Sequence, residues 1–215
     1  MLSTLISFSA AFLAFALLHS VLASHRFKKA LFARLPGLAP FYRIVYNLIA
    51  LGSLGGVLWL IPIPYRLLYS VDAPLSFLFH GMQIVGLIGL IASGFQFGMS
   101  EFSGLRQASR FVSRGIKPAY FDETDRGRFV NRGLYRIVRH PLYTFSTMLL
   151  VFNPSMTLRW ALMAATFTLY FWVGSYPEER KLAERFGEVY LNYKKRVPRL
   201  IPNPFLWFQR TKVDD

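Results

Sequence analysis

The chain has 215 residues, of which 53% are hydrophobic and 17% aromatic, and its formal net charge is +14. This composition is too apolar for an ordinary soluble domain and the chain is too short for several domains, so we predict one membrane-embedded domain over residues 1–215. The basic residues lie in loops between apolar segments, which excludes a nucleic-acid-binding face and favours membrane lipids as partners. The chain has no cysteine, which excludes disulfides, thiolate catalysis and cysteine-ligated metals.

Three apolar segments predict transmembrane helices. Residues 2–24 are uncharged until three basic residues follow them, the pattern of a retained anchor whose C-terminal end faces the cytoplasm. The second segment runs from about 44 to 61 and the third from about 77 to 98. Each is close to the ~20 residues that cross a hydrocarbon core.

Two further apolar segments, 142–152 and 158–176, are joined by Asn-Pro-Ser and predict a helical hairpin. Pro141 suits the first position of a helix, where its missing N–H costs nothing, so we expect the hairpin to begin there. At about 1.5 Å per residue, the first arm alone is too short to cross a bilayer. The return arm should bring Glu178 and Glu179 back beside the residues that precede Pro141.

The distribution of basic residues predicts the orientation. Only Arg66 and Arg159 lie on one side of the predicted spans, which leaves 23 of the 25 Lys and Arg residues on the other. The positive-inside rule then places the N-terminus outside and the C-terminus in the cytoplasm, with five helical segments between them. All 11 acidic residues lie outside the spans, which disfavours a channel or a pump.

Two polar segments complete the predicted architecture. Residues 99–139 form a loop too long for a plain connection, and we interpret it as a cytoplasmic lid. In residues 178–215, apolar side chains recur at spacings of three and four, which predicts an interfacial amphipathic helix and a tail. The predicted fold is therefore an all-α integral membrane protein, with three transmembrane helices in 1–98 and the helical hairpin in 140–177.

Charged residues at the start of the hairpin predict a binding site for an anionic group. Arg136, Arg139 and His140 precede a helix N-terminus, whose N–H groups and positive dipole favour a carboxylate or a phosphate. Glu178 and Glu179 add acceptors suited to hydroxyl or ammonium groups. The expected ligand has an anionic part, a cationic or hydroxylated part and a reactive centre at membrane depth.

Several motifs follow one another through this half of the chain. They are Arg-His-Pro-Leu-Tyr at 139–143, Glu-Glu-Arg at 178–180, Phe-Gly-x-x-Tyr-x-x-Tyr at 186–193 and Val-Pro-Arg-Leu-Ile-Pro at 197–202. In this order they resemble the isoprenylcysteine carboxyl methyltransferase-like family of integral membrane methyltransferases. Two shorter segments, Leu-His-Ser-Val-Leu-Ala-Ser and Asn-Pro-Ser-Met-Thr, are most similar to its bacterial methanethiol methyltransferase and NnrU-like branches.

The resemblance implies S-adenosylmethionine as the methyl donor, bound at the cytoplasmic ends of the last two transmembrane helices. Carried over by position, the implied cofactor-binding residues are Arg136, Arg139, His140, Pro141, Tyr143, Glu178, Glu179, Tyr190, Tyr193, Val197, Pro198 and Ile201. Arg139 is also assigned the positioning of an anionic acceptor. Phe145 stands where family members often have glycine, which alters the room beside the cofactor. The acceptor, a thiol or an isoprenylcysteine-type carboxylate, is expected to be lipophilic and to enter from the bilayer.

Two alternative functions are compatible with the same sequence. One is a sterol-reductase-like enzyme that uses NADPH in this region, and the other is a non-enzymatic NnrU-like membrane protein. In the latter, His19 would matter as a haem or metal ligand, although a packing histidine bonded to a neighbouring helix is the favoured interpretation. The four histidines are scattered and form no metal motif. The acceptor stays open among a small thiol, a prenylated cysteine carboxylate and a lipid amine, and no feature indicates an oligomeric state.

Overall fold

The computed structural model describes residues 2–60, 65–115 and 129–203, and these residues are mostly helical. The helices are α1 (Leu2–Ala23), α2 (His25–Arg34), α3 (Tyr42–Leu60), α4 (Leu75–Phe97), α5 (Met99–Phe102), α6 (Leu105–Arg114), α7 (Pro141–Val151), α8 (Leu158–Phe186) and α9 (Glu188–Arg196). Short 3₁₀ turns cover Pro36–Leu38 and Gly133–Arg136, and the strands are β1 (Leu67–Ser70) and β2 (Ser155–Thr157). The predicted helical class is confirmed.

The apolar segments of the sequence correspond closely to α1, α3 and α4. Among the described helices, α1 and α4 are long and apolar enough to cross a bilayer, and α7 is a shorter apolar helix. The count of five transmembrane segments and the orientation of the termini stay predictions. Part of the predicted lid is helical, as α5 and α6, while its residues 116–128 and the tail residues 204–215 lie outside the described residues.

The last helices differ from the predicted boundaries. The apolar segment ends at Tyr176, but α8 continues through Pro177 to Phe186. The separate interfacial helix that was predicted to begin at about residue 178 is therefore, in its first part, a continuation of α8. The residues after Pro177 include Glu, Arg, Lys, Leu and Ala, which are strong helix formers and extend α8 after the apolar run stops. Gly187, at φ +52°, ends α8, and α9 then begins at Glu188.

The described chain divides into two compact units. One comprises residues 1–64 and 98–126, and the other comprises 65–97 and 127–215. The first unit therefore contains α1 to α3, α5 and α6, and the second contains both strands, α4 and α7 to α9. The assignment of residues 1–215 to one functional domain stays a prediction.

In the first unit, aromatic side chains join α1 to α3. Ring centroids lie 5.8 Å apart for Phe15 and His19 and 4.8 Å apart for His19 and Tyr46. The Nε2 atom of His19 is hydrogen-bonded to the Tyr46 hydroxyl at 2.5 Å. The Tyr42 hydroxyl donates to the carbonyl of Leu22 at 2.7 Å. The hydrogen bond to a neighbouring helix that the packing interpretation of His19 requires is therefore present.

In the second unit, two glycines let α7 pack closely against α4. A Cβ atom on Gly86 would lie 3.0 Å from the backbone nitrogen of Leu149, and one on Gly89 would overlap the ring of Phe145. The Phe145 ring therefore occupies the space that a side chain on Gly89 would need. This pairing explains how α7 accommodates phenylalanine at the position where glycine is frequent in the resembling family.

The hairpin of α7 and α8 is closed by contacts that the sequence did not predict. Strands β1 and β2 pair antiparallel, with Tyr69 opposite Met156 and Ser70 opposite Ser155. The indole N–H of Trp160 donates to the carbonyl of Leu150 at 2.7 Å, which ties the start of α8 to the end of α7. These bonds fix the turn, and the hairpin brings the polar end of α8 to the start of α7.

Candidate active site

The predicted site residues meet in the second unit, where α7 begins and the chain leaves α9. We call residues 197–203 the C-terminal strap. The backbone N–H of Arg139 donates to the carbonyl of Pro198 at 2.9 Å, and that of His140 donates to the carbonyl of Arg199 at 3.1 Å. The Thr144 hydroxyl donates to the carbonyl of Leu200 at 2.6 Å. The carbonyl groups of the strap therefore accept hydrogen bonds from backbone N–H groups at the start of the hairpin. The sequence had suggested that N–H groups in this region would bind an anion.

Glu179 is the centre of a buried charged cluster, and its side chain is only 2% exposed. Its carboxylate oxygens lie near Arg139 Nε (2.7 Å), Lys194 Nζ (3.2 Å), Arg199 Nε (3.2 Å) and His140 Nε2 (3.3 Å). Burial alone would raise the pKa of Glu179, but the hydrogen bond from His140 and the charges of Arg139 and Arg199 lower it to about 2. Glu179 is therefore a buried carboxylate that holds several cations in place.

Arg139 connects the elements around this carboxylate. Its Nη1 donates to the carbonyl of Lys194 at 2.8 Å and to that of Val197 at 2.7 Å, while its Nε donates to Glu179. These carbonyls lie at the end of α9, where intrahelical N–H partners run out. One planar guanidinium therefore joins α8, α9 and the C-terminal strap, a role that the rigid fork of arginine suits.

His140 and Glu178 form the more open side of the cluster. The Glu178 side chain is 37% exposed, and its Oε2 accepts a hydrogen bond from the Tyr143 hydroxyl at 3.0 Å and lies 3.3 Å from His140 Nδ1. No hydrogen bond to Glu178 Oε1 is present within the described ranges. Burial alone would lower the pKa of His140, but hydrogen bonds and charge from Glu178 and Glu179 outweigh burial and raise it. His140 thus bridges both carboxylates and favours the protonated form.

Aromatic rings fix the position of Tyr143. Its ring stacks on that of His140 at 5.3 Å between centroids and on that of Phe171 at 4.8 Å, with interplanar angles of 3° and 8°. Phe171 belongs to α8, so the stack locks the first turn of α7 against α8. The Tyr143 hydroxyl is thereby aimed at Glu178.

Tyr190 places a polar group in the same region without satisfying it. The residue is 1% exposed, and its hydroxyl has no hydrogen-bond partner among the described residues. Burial and the negative charge of Glu179 raise its pKa. Tyr193, one turn further along α9, donates instead to the carbonyl of Tyr135 at 2.6 Å. A buried hydroxyl without a partner marks a position where a bound ligand could supply one.

The structure brings most of the predicted site residues together. Arg139, His140, Tyr143, Glu178 and Glu179 form the network described above, and Val197 and Pro198 join it through their carbonyl groups. Pro141 is buried at the first position of α7, as predicted. The role of these residues in cofactor binding stays a prediction.

Two predicted residues are exposed, unlike the core of this network. Arg136 is exposed at the end of its 3₁₀ turn, and Ile201 is 82% exposed on the strap. Sequence reasoning missed Lys194, Arg199, Thr144 and Phe171. Arg199 lies inside the Val-Pro-Arg-Leu-Ile-Pro motif, and its guanidinium lies 3.8 Å from the centroid of the Tyr176 ring. That motif was a signal that could have identified it.

Comparison with known proteins provides independent information. The phospholipid methyltransferase family model matches residues 82–189. Over 191 residues, the chain is 34% identical to the methanethiol S-methyltransferase of Pseudomonas deceptionensis, which covers 88% of this chain and 69% of that protein. It is 33% identical over 190 residues to methanethiol S-methyltransferase 1 of Bradyrhizobium diazoefficiens, which covers 87% of this chain and 63% of that protein. No solved structure matches the chain.

The apolar helices and these matches define a membrane methyltransferase. The chain belongs to the phospholipid methyltransferase family, which confirms the resemblance found in the motifs. A third relative, the methanethiol S-methyltransferase of Crocosphaera subtropica, is 30% identical over 191 residues, or 87% of this chain and 71% of that protein. These matches favour methyl transfer over the reductase and non-enzymatic alternatives.

Proposed function

We propose that this chain transfers a methyl group from S-adenosylmethionine to a small thiol, and that methanethiol is the first acceptor to test. The observation that carries the choice of donor is the cluster around Glu179, with Glu178 at its open side. The choice of acceptor rests on the relatives, which are methanethiol S-methyltransferases by name.

The chemistry of the cluster suits the polar groups of S-adenosylmethionine. Arg139, Lys194 and Arg199 outnumber the two carboxylates, so the cluster has positive charge to spare for the carboxylate of the methionine part. The open oxygen of Glu178 suits the ammonium group or the ribose hydroxyls. The Tyr190 hydroxyl offers one more partner in a buried position.

The reaction requires little acid or base catalysis from the protein. The acceptor sulfur, as thiolate, forms a bond to the methyl carbon while the bond between that carbon and the sulfonium sulfur breaks, and the bonding electrons stay on the sulfur of S-adenosylhomocysteine. The thiol proton passes to solvent. The residues of this chain would therefore act by positioning the reactants and by excluding water. His140 lies between two carboxylates that favour its protonated form, so it is poorly suited to act as a base.

The proposal includes a site on the cytoplasmic face, five transmembrane segments and a lipophilic acceptor that enters from the bilayer. It rests on the distribution of basic residues and on the apolar segments. Because the chain has no cysteine, Ser70→Cys and Ser113→Cys variants can each be labelled in intact cells with a membrane-impermeant maleimide. We expect labelling at 70 and none at 113; the reverse pattern would invert the orientation.

A transfer assay with a labelled methyl group tests the reaction. The purified full chain is incubated with S-adenosylmethionine that carries a deuterated methyl group, and with methanethiol, a prenylcysteine analogue or phosphatidylethanolamine in parallel. We expect deuterated dimethyl sulfide as the main product, with transfer lost in Glu178→Gln and kept in Glu184→Gln. Label found only in the lipid amine would overturn the thiol assignment, and no transfer to any acceptor would overturn the proposal.

A further inference from the structure

Helix α6 of the first unit is held in a defined place by its glycine caps. Gly104 and Gly115 flank it with φ angles of +87° and +65°, a conformation that glycine adopts without strain. A Cβ on Gly104 would lie 2.9 Å from the backbone nitrogen of Ile44, so the start of α6 contacts the first turn of α3. This close approach fixes the position of α6 beside α3.

The inward side of α6 places it at one end of the apolar span. The rings of Phe111 and Phe41 meet edge to face at 5.8 Å, and Phe41 immediately precedes α3. At the same end of α3, Tyr42 donates to the carbonyl of Leu22 in the last turn of α1. Because α1 is long enough to cross a bilayer, α6 lies at the level where α1 leaves the hydrocarbon.

The outward side of α6 combines apolar and cationic groups. Leu105 and Val112 are 62% and 75% exposed, and they share one face because they are seven residues apart. Arg106, Arg110 and Arg114 recur every four residues and form an exposed stripe on a different side of the helix from that face. The helix contains no acidic residue that would neutralise the stripe from within.

We propose that α6 binds the surface of an anionic bilayer, with Leu105 and Val112 inserted among the acyl chains and the three arginines on lipid phosphates. Exposed apolar side chains on one side of a helix, with a stripe of basic residues on another side, are typical of a helix that lies in the plane of the interface. The complement to the arginine stripe is a phospholipid head group, since each basic residue near an anionic leaflet adds to binding. This inference does not depend on the methyl acceptor or on the methyl donor.

Site-directed spin labelling tests the depth of α6 in the full chain. Val112→Cys and the adjacent Ser113→Cys are labelled separately, and the protein is reconstituted in vesicles that contain phosphatidylglycerol. We expect the label at 112 to collide more often with oxygen than with a water-soluble nickel chelate, and the label at 113 to show the opposite preference. Equal nickel accessibility at both positions would place the face in water, and shielding of 112 from both reagents would assign it to a protein partner; either result would overturn the proposal.

Charge variants test the contribution of the arginine stripe. We expect the label at 112 to prefer oxygen over the nickel chelate more strongly in phosphatidylglycerol vesicles than in phosphatidylcholine vesicles. In the triple Arg106→Gln, Arg110→Gln, Arg114→Gln variant, this difference between the two lipids should be lost. If the triple variant does not fold, the single Arg110→Gln variant tests the same point and should reduce that difference. Arg180→Gln, an exposed position on α8, serves as the matched control and should leave it unchanged. An undiminished lipid dependence in both stripe variants would contradict the role of the arginines.

Discussion

Two histidines, one in each unit of this membrane methyltransferase, show how differently the units are stabilised. His19 lies between the rings of Phe15 and Tyr46 and is hydrogen-bonded to the Tyr46 hydroxyl. His140 is 6% exposed and lies between the carboxylates of Glu178 and Glu179. The same side chain is a packing element in the first unit and part of a charged network in the second.

The comparison indicates where substitutions will have large effects. Aromatic packing spreads stabilisation over many contacts, so the loss of one polar contact near His19 should lower the stability only a little. A buried charged network behaves differently, because the removal of one member leaves its partners buried without compensation. We therefore expect the largest effects in the second unit, at the carboxylate that most cations share.

Glu179→Gln should be the most disruptive single change. It removes the charge that holds Arg139, Arg199 and Lys194, and the breaking of a buried ion pair costs about 3–5 kcal/mol. Thermal or denaturant unfolding in detergent measures the loss. Glu184→Gln is the matched control on the same helix, since its pair with Arg180 is fully at the surface. Equal stability of the two variants would contradict a central role for Glu179.

Gly89→Ala should cause the next largest loss of stability, because the new methyl group would overlap the Phe145 ring. Overpacking of this kind costs about 1–3 kcal/mol. Gly81→Ala in the same helix is the control, since a Cβ there meets nothing within 4 Å among the described residues. Phe145→Ala combined with Gly89→Ala should recover part of the loss, and the absence of any coupling in this double-variant cycle would refute the pairing.

The charged network around His140 and Glu179 should make the stability of the protein depend on pH. The pKa of His140 is raised in the folded protein, so its contribution is complete below the unfolded value of 6.5 and is lost as pH rises through the folded value. Glu179, with its pKa lowered from 4.5 to about 2, contributes fully above 4.5 and loses its contribution as pH falls toward 2. Melting temperatures should therefore be highest between pH 4.5 and pH 6.5 and should decline as the pH rises further.

His140→Gln is the variant that tests the alkaline decline. We expect it to melt lower than the unchanged protein at pH 6 and to lose most of the decline above that pH. An alkaline decline of the same size in this variant would show that another group is responsible.

Tyr46→Phe should have the smallest effect, since it removes only the hydroxyl bonded to His19. Helices α1 and α3 are predicted to span the membrane, and hydrogen bonds between transmembrane helices average about 0.6 kcal/mol, so we expect a loss below about 1 kcal/mol. Unfolding measurements provide the value. A loss as large as that of Glu179→Gln would remove the distinction between the units.

The parts of this molecule that depend on local patterns were predictable from the sequence. Uninterrupted apolar runs identified α1, α3 and α4, and Pro141 marked the start of α7. The hairpin also correctly brought Glu179 beside Arg139, because two antiparallel arms return the chain to its starting level. These inferences needed only hydropathy, proline chemistry and chain geometry.

The remaining features depend on contacts distant in the sequence. The C-terminal strap reaches Glu179 through Arg199, and α9 reaches it through Lys194, and no local pattern distinguishes these two cations from the many others in a strongly basic chain. The fit of Phe145 against Gly89 similarly requires knowledge of how α4 and α7 align. Helix α8 passed its expected end because strong helix formers follow the apolar run.

Calorimetric titration of S-adenosylmethionine into the detergent-solubilised full chain tests the central claim most directly. The titration is run on the unchanged protein, on Glu178→Gln and on Glu184→Gln, each first shown to be folded by its melting curve. We expect binding that is at least tenfold weaker in Glu178→Gln, a loss of about 1.4 kcal/mol or more, and unchanged in Glu184→Gln. Binding that is equal in all three proteins, or absent from the unchanged folded protein, would contradict the assignment of the cluster as the methyl-donor site.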